Sequence, residues 1–327
     1  MISLLTDFRY RVPPAFRRPA TRKLPAVPLL LGLLFALMAA DASAQTYDLP
    51  PAGEDVVGQV SVVRARHQDT LSDIARAHHL GYEEILRANP RVDPWLPGEG
   101  TRVILPTQHI LPDAPRVGLV LNLPEMRLYY YPKPSKGKPP TVATFPVSIG
   151  RMDWTTPLGL TRVTAKIINP VWYPPASIRA EHEQEGQELP PEVAAGPDNP
   201  LGQYALQFGR PGYLIHGTDR PYGIGMRATH GCIRLYPEDI QRLFEEVPVG
   251  TPVRIVNQPY KAGWRRGVLY LEAHPLLEEN LAEGKDNLTP AVRAVVEATS
   301  EHTARVDWDR VLREAVRMNG IPVAVSY

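Results

Sequence analysis

YLIHGTDRPYGIGMRATHGCIRL, residues 213–235, holds the only cysteine of the 327-residue chain and two of its nine histidines, each followed directly by glycine. The apolar run Tyr213-Leu214-Ile215 reads as a buried strand that delivers His216-Gly217 to its end. A polar, glycine-rich segment, Thr218 to Ala228, then loops away and returns at Thr229-His230-Gly231-Cys232. If the returning chain is extended, its period of two sets His230, Cys232 and Arg234 on one face. Gly231 leaves backbone N–H groups open to approach beside the sulfur. One loop therefore gathers a nucleophile, candidate bases, amide donors and a cation.

A free cysteine often packs as a small hydrophobe, but glycine and polar residues make a poor wall for a buried thiol. One cysteine and two histidines also lack the paired spacing of a structural zinc site, so neither a metal nor a cofactor is expected. The nucleophilic reading follows from thiol chemistry. A thiol titrates near about 8.5 and attacks as the thiolate, so it needs an adjacent base or cation. A neutral imidazole can take that proton and return it to a leaving amine, provided another group fixes its tautomer. Amides around Gly231-Cys232 would hold the oxyanion of a tetrahedral intermediate. The reaction class is acyl transfer through a thioester.

Of the two histidines, His216 is the expected base. In an extended chain His230 runs parallel to Cys232, about 6.5–7 Å along the strand, beyond the ~2.6–3.2 Å that proton transfer needs. His216 ends a separate strand and can face the sulfur across the gap, with the Gly217 carbonyl orienting its other ring nitrogen.

His216-Gly217, a spacer, and Thr229-His230-Gly231-Cys232-Ile233-Arg234 together resemble the signature of the L,D-transpeptidases of the YkuD (ErfK/YbiS/YcfS/YnhG) family; the separation of histidine and cysteine, 232 − 216 = 16 residues, fits it. The resemblance implies an all-β catalytic fold, Cys232 as nucleophile, His216 as proton donor and acceptor, and an ancillary or oxyanion role for His230 and Gly231. Arg234 is the candidate for a substrate carboxylate, since guanidinium pairs with it bidentately; a structural ion pair is its alternative. Thr229 keeps the hydroxyl usual before His-Gly-Cys, and Tyr204 and Trp172 are candidates to line the substrate groove.

The rest of the chain divides around this region. Arg17, Arg18, Arg22 and Lys23 precede the apolar run Val27 to Ala40, and Ala42-Ser43-Ala44 forms a small-x-small cleavage site. Residues 1–44 thus read as a signal peptide, too short to span comfortably, with an uncleaved anchor as the alternative and membrane contact expected only during export. In an exported chain an odd cysteine is intermolecular or reactive. After a Pro/Gly-containing spacer, residues 60–106 read as a βααβ module, with Asp69 as a helix cap before Leu71, Ile74 and Ala75. Asp69-Thr70-Leu71, Ile74-Ala75, Asn89-Pro90 and Leu105-Pro106 resemble the pattern of a LysM domain, which implies binding to N-acetylglucosamine-containing glycan.

Residues 116–257 carry about seven strands and one helix, Pro237 to Glu246, which suggests a β-sandwich or barrel-like fold. The long proline-rich segment from Asn169 to Leu201 reads as a surface loop, either a lid or a plain insertion. Residues 258–327 form a separate α+β extension, with Trp308, Val311, Leu312, Ala315 and Val316 as a helical core stripe. This tail resembles the extension of Gram-negative members that join peptidoglycan to an outer-membrane lipoprotein. A net charge of +1 gives no basic face for nucleic acid.

Taken together, the resemblance implies a periplasmic peptidoglycan enzyme. Cys232 would attack the third stem residue, meso-diaminopimelate, and release D-alanine; an amine of a second stem gives a 3→3 cross-link, a lipoprotein lysine an anchored protein, and water a hydrolysed product. A papain-like peptidase would place its cysteine before its histidine, the reverse of the order here. A non-catalytic wall-binding protein would need neither Cys232 nor the two histidines.

Overall fold

The computed structural model describes residues 45–151, 154–209, 212–283 and 287–327. The expected signal peptide, 1–44, lies outside the described residues. Among those described, a nine-stranded sheet runs from edge to edge as Gln45–Asp48, Thr141–Pro146, Arg127–Tyr131, Gly118–Asn122, Pro252–Val256, Gly159–Ile168, Tyr204–Phe208, Leu214–His216 and Ile233–Arg234. The mainly β architecture expected from the turn and strand signals is the one observed. The hairpin predicted around Pro124-Glu125 pairs Leu121 with Leu128 and Leu119 with Tyr130.

The sheet buries both faces. Leu119, Leu121, Leu128, Phe145, Val163, Leu206, Phe208, Ile215 and Ile233 fill one core. Val57, Val120, Tyr129, Tyr131 and Val142 form a second cluster on the other side. Alternation explains the division: Leu119 and Leu121 go one way and Val120 the other. The helix Pro237–Glu246, entered through proline at its first turn, closes the first core with Ile240 and Leu243.

The βααβ unit comprises the antiparallel strands Ser61–Arg64 and Arg102–Leu105, with helices Leu71–Ala77 and Tyr82–Ala88 between them. Its core of Leu71, Ile74, Ala75, Leu80, Ile85, Val103 and Leu105 follows the apolar spacing. The cap differs from expectation. Thr70, not Asp69, accepts from the Asp73 amide at 3.1 Å, and Asp73 accepts the Thr70 amide at 2.9 Å, a reciprocal capping box. Asp69 accepts from the Arg66 amide one turn earlier.

The stretch ahead of this unit, from residue 45, is also more than a spacer. Gln45–Asp48 adds an edge strand to the large sheet, and Val56–Gly58 pairs with Gln108–Ile110. Contact between unit and sheet is ionic at its centre. Arg127, with no exposed surface, donates to Glu84 at 2.6 Å and to Thr144 Oγ1 at 3.0 Å. On the rim, Arg76 makes two 3.0 Å bonds to Glu238, and the Tyr236 hydroxyl donates to the Leu80 carbonyl.

The extension is the α+β element expected. Strands Tyr260–Arg265, Val268–Ala273 and Val323–Ala324 form a sheet, and helices Thr289–Ala298 and Trp308–Arg317 cover it. The predicted stripe is only half a core. Val311 and Ala315 are fully buried, while Trp308, Leu312 and Val316 are exposed, because the helix packs on the strand Val268–Ala273 with one narrow row. Lys261 ties the extension down, sitting 2.7 Å from Glu125 and 3.0 Å from Glu272, with its ammonium also on the Ile110 carbonyl. Burial alone would raise the Glu125 carboxyl, but Lys261 and the nearby His109 and His274 rings hold it well below the ordinary carboxylate range.

Removing one partner of a buried pair leaves an uncompensated charge. Glu84→Ala is therefore expected to cost about 3 kcal/mol, read from the urea midpoint at constant m-value. The neutral pair Arg127→Met with Glu84→Gln is expected to cost clearly less. Equal losses in the two variants would show that charge at this contact is irrelevant.

Candidate active site

The site rests on a parallel pairing of two short strands. Ile215 lies opposite Ile233, and His216 opposite Arg234. Ile215 and Ile233 are both fully buried in the main core. Alternation then sends His216, Arg234 and, one step before Ile233, Cys232 to the opposite face. The Cys232 thiol and the His216 imidazole thus share one face, offset by one pleat. The two strands are distant along the chain, and the loop between them starts with Thr218 and carries a short 3₁₀ turn at Pro221–Gly223.

His216 is buried, 3% exposed, and its Nδ1 lies 2.7 Å from the Gly217 carbonyl. A carbonyl only accepts, so Nδ1 carries the proton and Nε2 keeps its lone pair. Burial, together with the Arg234 charge, pulls the ring down to about 3 despite the Gly217 and Leu201 carbonyls, which favour the protonated form. The imidazole is neutral at physiological pH. Burial also raises the Cys232 thiol, against the opposing pull of the Leu214 amide and Arg234. Its Sγ is half-buried and lies 3.5 Å from the Gly212 carbonyl. Both groups are thus shifted toward their neutral forms.

The turn before Cys232 is held from three sides. Gly231 has φ +92°, a left-handed conformation in which a Cβ is strained. Thr156 donates to the Gly231 carbonyl at 3.2 Å, and the Arg151 amide donates to the Thr229 carbonyl at 2.9 Å. The Thr229 hydroxyl donates to the Cys232 carbonyl, so this residue sits inside the turn. Gly150 is needed nearby, since a Cβ there would lie 1.9 Å from the Trp154 carbonyl.

Arg234 is half-buried. Burial lowers its guanidinium, while the neighbouring Asp219 carboxylate raises it. Its Nε is buried and has no hydrogen-bond partner among the described residues. His230 turns toward the long Asn169–Leu201 segment. Its Nε2 lies 2.8 Å from Glu181 and 3.1 Å from Arg151, and Trp154 meets its ring edge-on at 5.3 Å.

The two aromatic candidates are placed differently. Tyr204 packs on Phe244 at 4.9 Å and lines a cleft of about 500 Å³ beside Gly217, Thr218 and Asp219. Trp172 exchanges backbone bonds of 2.9 and 2.8 Å with Val193 and so closes the base of the long segment. Glu181, Arg151, Gly150 and Asn199 escaped the sequence reading. The first three have no motif of their own. Asn199, buried and bonded to the Pro170, Val193 and Ala194 carbonyls and to the Leu201 amide, looks like any loop asparagine until the loop is folded.

Residues 116–255 match the YkuD family, described as the L,D-transpeptidase catalytic domain. The chain is 42% identical over 297 residues to the probable L,D-transpeptidase YbiS of Escherichia coli K12, covering 87% of this chain and 93% of that protein. It is 41% identical over 293 residues to the probable L,D-transpeptidase ErfK/SrfK of Salmonella typhimurium, covering 86% and 92%. It is 39% identical over 294 residues to the probable L,D-transpeptidase YcfS of E. coli K12, covering 88% and 90%. With likeness of that depth spanning nearly the whole of each relative, the chain belongs to the L,D-transpeptidase family.

Proposed function

We propose that the protein is a periplasmic peptidoglycan L,D-transpeptidase working through a Cys232 thioester, and the observation that carries this is the neutral His216 ring, tautomer set by Gly217, on the same face as the thiol. His216 Nε2 takes the thiol proton as sulfur attacks the carbonyl of the third stem residue, meso-diaminopimelate. The amides at Gly231 and Cys232 hold the oxyanion. The C–N bond breaks, D-alanine's amine takes the proton from His216, and the acyl group stays on sulfur. An incoming amine reverses the sequence, giving a 3→3 cross-link when it belongs to a second stem.

Arg234 holds a carboxylate of the donor stem. Its buried Nε without a partner favours this over a purely structural ion pair, because such a donor costs free energy until something fills it. The βααβ unit is read as a LysM-type glycan holder that keeps the enzyme on the wall strand, and residues 1–44 as its export signal. The exposed helical row Trp308, Leu312 and Val316 sits in the extension that would face a lipoprotein acceptor.

Cys232→Ala is expected to abolish release of D-alanine from purified tetrapeptide muropeptides while shifting the melting temperature by little, the thiol being only half-buried. Muropeptide chromatography with and without a lysine-bearing acceptor peptide distinguishes cross-link, anchored and hydrolysed products. Retained turnover in the alanine variant would end the thioester reading.

The pH dependence follows from the neutral resting pair. His216 gains its proton only near pH 3, and the thiol loses its own only above the ordinary thiol range. Iodoacetamide alkylation of Cys232 should therefore be slow at neutral pH and climb in one step through alkaline pH. A plateau of fast alkylation reaching down to pH 5 would mean a preformed thiolate–imidazolium pair instead. His216→Gln should cut acylation by roughly 100-fold or more, the scale of a lost general base.

A further inference from the structure

The catalytic turn has an anchor outside the motif. Helix Ala176–Gln184 lies within the long Asn169–Leu201 segment, whose base is closed by the Trp172–Val193 pair and by Asn199. From this helix Glu181 reaches across 49 residues of sequence to His230, at 2.8 Å, with its other oxygen on Arg151 at 2.7 Å. Arg151 in turn donates its backbone amide to Thr229, and its side chain lies 3.1 Å from the His230 ring. Trp154 packs on the same ring. His230 is the residue immediately before Gly231, whose left-handed conformation orients the amides beside the sulfur. One hydrogen bond, donated by Nε2 to the Glu181 carboxylate, and one ring contact thus fix the side chain that begins this turn.

We propose that Glu181 is a positioning residue for acyl transfer: through His230 it holds the Gly231 turn in the geometry that binds the oxyanion, and so makes the helix over the site part of the catalytic machinery. This rests on the cysteine thioester reading. The long segment is then neither a plain insertion nor an independent lid. Its helix and the turn are one mechanical unit, and a donor stem that engages the segment also acts on the oxyanion amides. The carboxylate is suited to the task. His230 and Arg151 together pull Glu181 down to about 2, so its charge persists throughout the range in which such an enzyme works. The sign is that of a depressed acid: the contact is fully present above the ordinary carboxylate range and is lost as pH falls toward 2.

Two reactions of the same sulfur separate this role from a merely structural one. Alkylation by iodoacetamide needs a reachable thiolate but forms no oxyanion, whereas acylation by a tetrapeptide stem needs both. In the full mature chain, Glu181→Ala is expected to slow acylation by roughly 10- to 100-fold, the scale of a sub-ångström to ångström misplacement. Its alkylation rate is expected to stay within about two-fold of wild type. Glu181→Gln, which keeps an acceptor for the ring, should recover part of the loss, mainly in kcat. Acylation at the wild-type rate in Glu181→Ala overturns the proposal, and so does an equal loss in both reactions, which would place the effect on the thiolate or on folding. Intact-protein mass of wild type and Cys232→Ala with the same stem tests the underlying reading separately: no adduct on wild type removes the thioester, and the positioning role with it.

Discussion

The parallel pairing of Leu214–His216 with Ile233–Arg234 is the constraint on which the rest depends. A slip of one residue in that pairing would turn His216 inward to the core or Cys232 away from it. The register is secured by Ile215 and Ile233, both fully buried, which cannot leave the core without exposing apolar surface worth roughly 2 kcal/mol each. A parallel pair also needs a crossing connection. Here it is the glycine-rich loop from Thr218 to Ala228, which brings the two halves of the motif together from opposite ends of a detour. Catalytic alignment is thereby a by-product of core packing, and the chemistry-bearing residues need no stabilising role of their own.

The same economy governs how the larger parts meet. Charges buried between them, Arg127 with Glu84 on one side and Lys261 with Glu125 and Glu272 on the other, join the βααβ unit and the extension to the large sheet. Such pairs add little net stability compared with apolar contacts but penalise any alternative docking severely. Neither appears among the charges that act on the Cys232 thiol. They fix orientation without placing competing charge near the thiol. The face that carries Cys232 is left with one dominant cation, Arg234, whose influence on both His216 and the thiol is correspondingly clear.

Much of this was legible in the sequence because the signals were local. Alternation located the strands at Arg127–Tyr131 and Tyr204–Phe208, and the helix Pro237–Glu246 was marked by its proline and its apolar spacing. The extended chain assumed from His230 to Cys232, which would set both on one face, is instead a turn with Gly231 in the left-handed region. What stayed hidden depends on distant chain. Gln45–Asp48 reads as a spacer until it meets Thr141–Pro146, since four residues have too little pattern to declare a strand. Thr70 displaces Asp69 as the cap because Asp73 completes a reciprocal box, a difference of one residue that composition does not resolve. Glu181 and Arg151 gain meaning only when a loop folds back over residue 230, and a lone glutamate in a proline-rich segment carries no mark of that. Trp308, Leu312 and Val316 failed in the opposite sense: their spacing was helical, but the helix had one row of neighbours and not two.

The electrostatic state of the site bears on when it becomes reactive. Burial and Arg234 both depress His216, and burial outweighs the pull of Arg234 on the thiol, so the two groups remain neutral. On the proposed reading, a substrate carboxylate brought against Arg234 would cancel the charge that weakens the ring as a base. It also withdraws the same charge from the thiolate, so a free thiolate becomes less favourable as the imidazole becomes more basic. The combination favours proton transfer concerted with attack over prior ionisation. On the proposed mechanism such a site is quiet toward adventitious electrophiles and oxidants, which require the thiolate, and is roused by the acid-bearing donor stem that acylates it. For a lone, half-exposed cysteine, that selectivity follows from the same burial that holds His216 neutral.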